Sequence, residues 1–219
     1  VRDDLIANFN FPSRKVVTIY NPAFDPDIIL NSRDDCDDFL KINYNYIIAV
    51  GRLAKQKNYP SLIKAFKILK THDVTKDIKL VIVGEGPEKQ NIIDLIKSLK
   101  LNSEIFLFGH KKNPFPLIKN ASAYVLSSIN EGFGLVIIEA LALKKQIVST
   151  DCPSGPREIL KDGKFGILVP VNNAAKLSEG LLAILNGDIF FEEDALFKRS
   201  QNFSVENCFG EFSKLLSEV

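Results

Sequence analysis

The chain contains no methionine, and it begins at Val1. A native start is therefore expected elsewhere, and the 219 residues are expected to be a piece of a longer protein. Cysteine is scarce: Cys36, Cys152 and Cys208 are three in number and far apart. An odd, scattered set argues against a disulfide framework or a thiolate metal site. It points to reduced thiols in a cytosolic protein. No apolar run is long enough for a bilayer-spanning helix, and no signal-peptide pattern is present. An excess of one charge sign is also lacking. Lys and Arg total 28 against 27 Asp and Glu, a net charge of +1, so no global field recruits nucleic acid or a membrane. Repeats and low-complexity segments are absent.

What is there is ordinary soluble-domain composition, 46% hydrophobic and 25% charged. The length suffices for one sizeable domain with a real core. Val1 to Phe9 reads as the end of an amphipathic helix. Lys15 to Tyr20 is rich in β-branched residues and reads as a strand ended by Asn21-Pro22. Phe24 to Asn43 is acidic and irregular, and reads as a surface loop with one helical turn. A strand–helix rhythm follows. Strands are predicted over 46–51, 78–84, 105–109, 123–127, 146–150 and 166–170. Helices are predicted over 59–71, 88–99, 116–120, 134–143 and 156–160, and three more in 174–219, broken near 186–188 and 202–203. Strands that are apolar on both faces and alternate with helices predict a parallel α/β sheet covered on both sides, a Rossmann-like architecture.

The stretch Glu131-Gly132-Phe133-Gly134-Leu135-Val136-Ile137-Ile138-Glu139 lies at one strand-to-helix turn. Open α/β sheets bind ligands at the carboxyl edge, and a helix start offers unpaired N–H groups to a phosphate. Gly132 and Gly134 let a backbone come close to such a ligand. Glu131 and Glu139 project within about 80° of each other about the helix axis. Carboxylates suit sugar hydroxyls, so the pair suggests a ligand carrying both phosphate and polyol. The bland alternative is a capped, solvated helix start.

Other post-strand loops carry the same theme. Gly51-Arg52-Leu53-Ala54-Lys55-Gln56-Lys57-Asn58 offers Arg52 and Lys57 to a diphosphate, or is simply a solvated basic loop. Gly84-Glu85-Gly86-Pro87 is half of a dinucleotide fingerprint, but Lys89 stands where the third glycine belongs. That leaves a tight turn with Pro87 opening a helix as the plain reading. Gly109-His110-Lys111 ends the third strand, and Cys152-Pro153-Ser154-Gly155-Pro156-Arg157-Glu158 follows the fifth. Cys152 has no histidine partner in view and is not read as a nucleophile.

These motifs together resemble the Glu-x7-Glu signature of retaining, nucleotide-sugar-dependent glycosyltransferases of family four, the glycosyl transferases group 1, which have the GT-B fold. The match covers nearly the whole chain and corresponds to the donor-binding, C-terminal half of such an enzyme. The resemblance implies that residues 15–203 form the nucleotide-sugar donor-binding unit, residues 1–14 end a preceding domain or linker, and residues 204–219 form a helix packing back towards that missing N-terminal domain. It implies catalytic roles for Arg52, Lys57 and Glu131. It implies donor-binding roles for Gly51, Gly84, Gly86, His110, Lys111, Gly132, Phe133, Gly134, Leu135 and Glu139. In that pattern His110 and Lys111 border the nucleotide base, Glu139 accepts from the ribose and Glu131 holds the sugar. The enzyme would move a hexosyl or N-acetylhexosaminyl group, with retention, from a UDP-sugar to a glycan or lipid-linked acceptor. No cofactor and no metal are expected, because the two cations replace a metal. The expected location is the cytoplasm, extending to peripheral contact at the inner face of the cell membrane. Two other readings stay open: a sugar-nucleotide-binding module without transfer, and a dinucleotide-dependent oxidoreductase, which the missing third glycine opposes.

Overall fold

The computed structural model describes residues 2–33 and 45–217. Helix α1 covers Arg2–Phe9 and α2 covers Asp27–Asn31. The alternating part then runs β1 Tyr46–Val50, α3 Tyr59–Leu69, β2 Lys79–Val83, α4 Lys89–Ser98, β3 Ile105–Leu107 and α5 Phe115–Asn120. It continues with β4 Ala123–Leu126, α6 Leu135–Ala142, β5 Ile147–Thr150, the short α7 Pro156–Ile159 and β6 Ile167–Val169. Helices α8 Ala174–Leu185, α9 Glu193–Gln201 and α10 Val205–Ser217 close the chain.

The strands form one sheet in the order β3-β2-β1-β4-β5-β6, every pairing parallel. β1 is its central strand, paired with β2 from Tyr46↔Lys79 to Val50↔Val83 and with β4 at Ile47↔Ala123 and Ile48↔Tyr124. Period-two alternation sends its side chains into two cores. Ile47 and Ala49 join Leu80, Ile82, Ala123 and Val125 under α3, α4 and α8. Tyr46 and Ile48 join Val81, Val83, Tyr124 and Leu126 on the opposite face with α5, α6 and α9. Helix α3 buries Leu62, Ile63, Phe66 and Leu69 at three- and four-residue spacing, as an amphipathic helix on a sheet must. Helix α6 is apolar nearly all round and is buried accordingly, through Ile137, Ile138, Ala140, Leu141 and Ala142.

One expected element is not there. Lys15–Tyr20 is no strand: a 3-10 turn covers Ser13–Lys15 and an irregular segment follows, with Val17 57% exposed. β-branching favours a strand only when a sheet edge is at hand, and this segment instead crosses over Phe133 and Phe203. Pro87 does not open α4 either; it lies in a turn, and the helix starts at Lys89. The helical turn expected within 24–43 is α2, while residues 34–44, with Cys36, lie outside the described residues. The other strands and helices stand where the sequence put them, shorter by one or two residues at some ends, with α5 starting one residue earlier.

Candidate functional site

The strand order reverses between β1 and β4, and in open parallel sheets the crevice at that switch point is the ligand position. The loops leaving these two strands are stitched together there. Ser127 Oγ donates to the Lys57 carbonyl at 2.8 Å, and Ile129 N donates to the Gln56 carbonyl at 2.8 Å. This brings the basic loop after β1 against the turn after β4. Lys57 Nζ lies 2.7 Å from Glu131 Oε1, and Ser128 Oγ donates to the same oxygen at 2.5 Å. Both charged side chains are largely covered, 13% exposed for Lys57 and 7% for Glu131. Thr150 Oγ1 in turn donates to the Ser128 carbonyl at 2.6 Å. Glu131 is therefore held by an ammonium and a hydroxyl together.

Gly134 enters α6 at φ +96°, a conformation glycine adopts without strain. No side chain caps this helix; the Ile137 N–H donates to the Gly134 carbonyl at 2.9 Å, while among the described residues those of Leu135 and Val136 have no backbone partner. Gly132 has open space where a side chain would project, with nothing within 4 Å of a Cβ there. Five residues beyond Gly134, Glu139 is partly buried. Among the described residues nothing hydrogen-bonds to its carboxylate or pairs with it. Burial holds its pKa above the ordinary carboxylate value. A desolvated, unpartnered acceptor beside an uncapped helix start is suited to a ligand with hydroxyl donors.

A hollow of 430 Å³ opens on the β1–β2–β3 side, lined by Gly51, Arg52, Gly84, Glu85, His110 and Lys111. Arg52 and His110 are exposed. Gly84 is there for close approach: a Cβ would stand 2.0 Å from the Gly51 carbonyl oxygen. The Tyr59 hydroxyl, buried and with its pKa raised first by desolvation and then by Glu131, donates to that same carbonyl at 2.9 Å. A second hollow, 620 Å³, lies on the β5 side and is lined by Tyr20, Gly132, Phe133, Ser154, Gly155 and Glu158 among others.

The structure thus gathers Gly51, Arg52, Lys57, Gly84, His110, Lys111, Glu131, Gly132, Phe133, Gly134, Leu135 and Glu139 at the carboxyl ends of β1 to β4. Two of the expected residues differ in what surrounds them. Gly86 packs on the Leu53 backbone, where a Cβ would lie 2.3 Å from the carbonyl oxygen, and does not line the hollow. The Leu135 side chain is exposed, leaving its backbone N–H as the useful group. Burial pushes Cys152 up to about 11, unlike an activated thiol. Sequence reasoning missed Ser128, Thr150 and Tyr59, whose roles depend on which loops meet. It also counts no Asp-x-Asp cluster, yet Asp25-Pro26-Asp27 and Asp35-Cys36-Asp37 both have that spacing, the second outside the described residues. Asp25 Oδ1 accepts from Asp27 N at the start of α2, and among the described residues no group of three acidic, His or Cys side chains could hold a metal.

By its sheet order, its two helix layers and its switch-point crevice, this is a Rossmann-like α/β unit of the kind found in GT-B glycosyltransferases. Residues 34–201 match the model of the glycosyl transferases group 1, and the chain belongs to that family. It is 37% identical over 186 residues to the N-acetylgalactosamine-N,N'-diacetylbacillosaminyl-diphospho-undecaprenol 4-alpha-N-acetylgalactosaminyltransferase of Campylobacter jejuni, covering 85% of this chain and 48% of that enzyme. It is 30% identical over 178 residues to the poly(glycerol-phosphate) alpha-glucosyltransferase of Bacillus subtilis, covering 78% and 26%. Among solved structures, a glycosyltransferase from Rickettsia africae superposes with a TM-score of 0.81 at 22% identity, over 99% of this chain and 60% of that one. HepE of Anabaena in complex with UDP and glucose superposes with a TM-score of 0.74 at 20% identity, over 100% and 61%. The chain spans about half the length of the Campylobacter relative.

Proposed function

We propose that this chain is the donor-binding unit of a retaining glycosyltransferase. The whole enzyme transfers a hexosyl or N-acetylhexosaminyl group from a nucleoside diphosphate sugar, UDP by preference, to a lipid-linked or glycan acceptor. The observation that carries the reading is the unpartnered, partly buried Glu139 beside the uncapped start of α6 and the Lys57–Glu131 pair. The names of the relatives, one an undecaprenol-linked N-acetylgalactosaminyltransferase and one crystallised with UDP and glucose, support the substrate classes.

In this reading the diphosphate lies against the N–H groups of Phe133, Gly134 and Leu135, with Arg52 and Lys57 supplying positive charge. Lys57 keeps donors to spare while paired with Glu131, since an ammonium has three. The base occupies the hollow beside Gly84, His110 and Lys111. Glu139 accepts from the ribose hydroxyls and Glu131 faces the sugar. As the bond from the anomeric carbon to the phosphate oxygen breaks and that to the acceptor oxygen forms, charge grows on the diphosphate. There the fixed cations and the helix start stabilise it without a metal. The acceptor proton passes to a leaving phosphate oxygen. The acceptor belongs to a preceding N-terminal domain. The exposed apolar side of α10, with Val205, Phe209, Phe212 and Leu216, supports contact with such a domain. The working location is the cytoplasm, at the inner membrane face where a lipid-linked acceptor is presented.

The test is a cycle of calorimetric titrations: UDP and 2′-deoxy-UDP against the wild type and Glu139→Ala, with circular dichroism to check folding. Wild type should bind the deoxy form about tenfold more weakly, for a loss of about 1.4 kcal/mol. Glu139→Ala should erase most of that difference. If wild type binds both equally, or the variant still discriminates, Glu139 is not the ribose ligand.

A further inference from the structure

A turn that presents backbone amides to a ligand is placed by the contacts behind it. Behind Glu131–Leu135 stand two aromatic rings from distant parts of the chain, Tyr20 and Phe203, and both meet Phe133 of the turn. The Phe133 ring stacks on Tyr20, with centroids 5.2 Å apart and planes 22° apart, and meets the Phe203 ring edge-on at 5.7 Å. Tyr20 also meets Phe203 edge-on, at 5.6 Å. Each ring therefore touches the other two, in geometries that aromatic quadrupoles favour.

Each ring is itself tethered. Ala23 N and Phe24 N both donate to the Phe203 carbonyl, at 2.8 and 2.9 Å, which ties the segment after Tyr20 to the joint between α9 and α10. The Tyr20 hydroxyl donates to Glu158 Oε2 on α7 at 2.8 Å. Arg199 Cζ stands 4.7 Å over the Phe203 ring while the guanidinium donates to the carbonyls of Glu158 and Ile159, both at 2.8 Å. On its other flank Phe133 meets bare backbone: a Cβ at Gly155 would lie 1.6 Å from the Phe133 carbonyl oxygen. Phe133 is thus clamped through ring and backbone, while its neighbour Gly132 faces open space.

We propose that Tyr20 is a positioning residue for the donor turn: its ring holds Phe133 and, through Phe133, fixes the direction of the amides from Gly132 to Leu135. The ligand's identity rests on the function proposed above; the clamp does not. The acting part is the ring and not the hydroxyl, because the stack is made to Phe133 whereas the hydroxyl reaches only Glu158. Burial, and then the bond to Glu158, pushes the phenol up to about 12, so Tyr20 brings no charge near the diphosphate.

The experiment compares Tyr20→Leu, which keeps apolar bulk but loses the ring, with Tyr20→Phe, which keeps it. Two readouts are used on the whole chain. Heteronuclear NOEs of the Gly132, Phe133 and Gly134 amides report fast motion of the turn without any ligand. They should fall in Tyr20→Leu and stay at wild-type values in Tyr20→Phe. Titration with UDP and uridine should show UDP weakened about fivefold in Tyr20→Leu, the order expected for one lost aromatic pair, with uridine unchanged. Tyr20→Phe should restore UDP binding. Unchanged NOEs in Tyr20→Leu, or a Tyr20→Phe that behaves like Tyr20→Leu, would overturn the proposal. Equal losses on UDP and uridine would overturn it too, by showing a general structural effect. If wild type binds no UDP, the function proposed above fails, and the NOEs alone decide the role of Tyr20.

Discussion

Lys57 and Arg52 leave the same loop and serve the same proposed ligand, but their surroundings separate them. Lys57 is covered and paired with Glu131, whereas Arg52 is exposed. Removing Lys57 leaves a carboxylate that is 7% exposed without its cation. Breaking a buried pair from one side costs about 3–5 kcal/mol, so Lys57→Ala should unfold at markedly lower temperature or denaturant. Arg52→Ala should stay within about 0.5 kcal/mol of wild type, like other surface changes. For UDP binding the two should converge, each losing about 1.5–3 kcal/mol on UDP and little on uridine. Denaturant melts with paired titrations check this. Equal stability for the two variants would mean that the Glu131 pair contributes nothing to the fold. Glu139 gives a second residue-scale test. Burial raises its pKa, so the folded chain holds that proton more tightly than the unfolded chain. Between the unfolded and the folded pKa the native state carries more protons, and stability falls as pH rises through that window. Glu139→Gln removes the ionising group. It should therefore melt above wild type near neutral pH, with the gap closing below the ordinary carboxylate range. A gap independent of pH would count against a desolvated Glu139.

At the scale of elements, the sheet was legible because parallel strands buried on both faces leave near-continuous apolar runs. Tyr46-Ile47-Ile48-Ala49-Val50 and Ala123-Tyr124-Val125-Leu126 are such runs, and both became strands. The turn after β4 was legible for a related reason. Two glycines and two glutamates between a buried strand and a buried helix have few other uses, and Gly134 does adopt the left-handed conformation. Lys15–Tyr20 misled because its β-branched composition reports a preference for extended backbone and not the presence of a partner strand. The chain used that extension to lay Tyr20 over Phe133. Nor could the sequence tell which loops meet. That Glu131 is held by Lys57, 74 residues away, and by Ser128 at the same oxygen follows from the switch between β1 and β4. No local pattern encodes such a pairing. Gly86 shows the converse limit: a glycine in a ligand-loop motif turned out to be fixed by the Leu53 backbone behind it.

For the molecule as a whole, one hollow is lined by Gly132 and Phe133 of the turn after β4 and the other by the loops after β1, β2 and β3, with Arg52, His110, Gly132 and Glu158 exposed at their rims. Transfer needs an acceptor hydroxyl brought to the anomeric carbon with water kept out, because a free water is itself a competent acceptor. At the turn, a Cβ on Gly132 would meet nothing within 4 Å, and Gly132 lines the wide hollow on the β5 side. The chain also spans 48% of the Campylobacter relative, which leaves room there for a second unit of similar size. Helix α10 shows a row of apolar side chains, Val205, Phe209, Phe212 and Leu216, at helical spacing and exposed. An exposed apolar row of this kind marks a contact surface. The expected outcome is therefore a split: this chain alone binds UDP but transfers no sugar to a lipid-linked acceptor, while a longer protein carrying the preceding domain does both. Mass spectrometry of the acceptor after incubation with a UDP-sugar checks transfer, and calorimetry on the same preparation checks binding. Transfer by this chain alone, at a rate comparable to the longer protein, would mean that the carboxyl edge of one Rossmann-like unit suffices to position both substrates. The two-domain reading of the site would then have to be abandoned. Binding without transfer in both proteins would keep the crevice as a nucleotide site and remove the transfer step from the function.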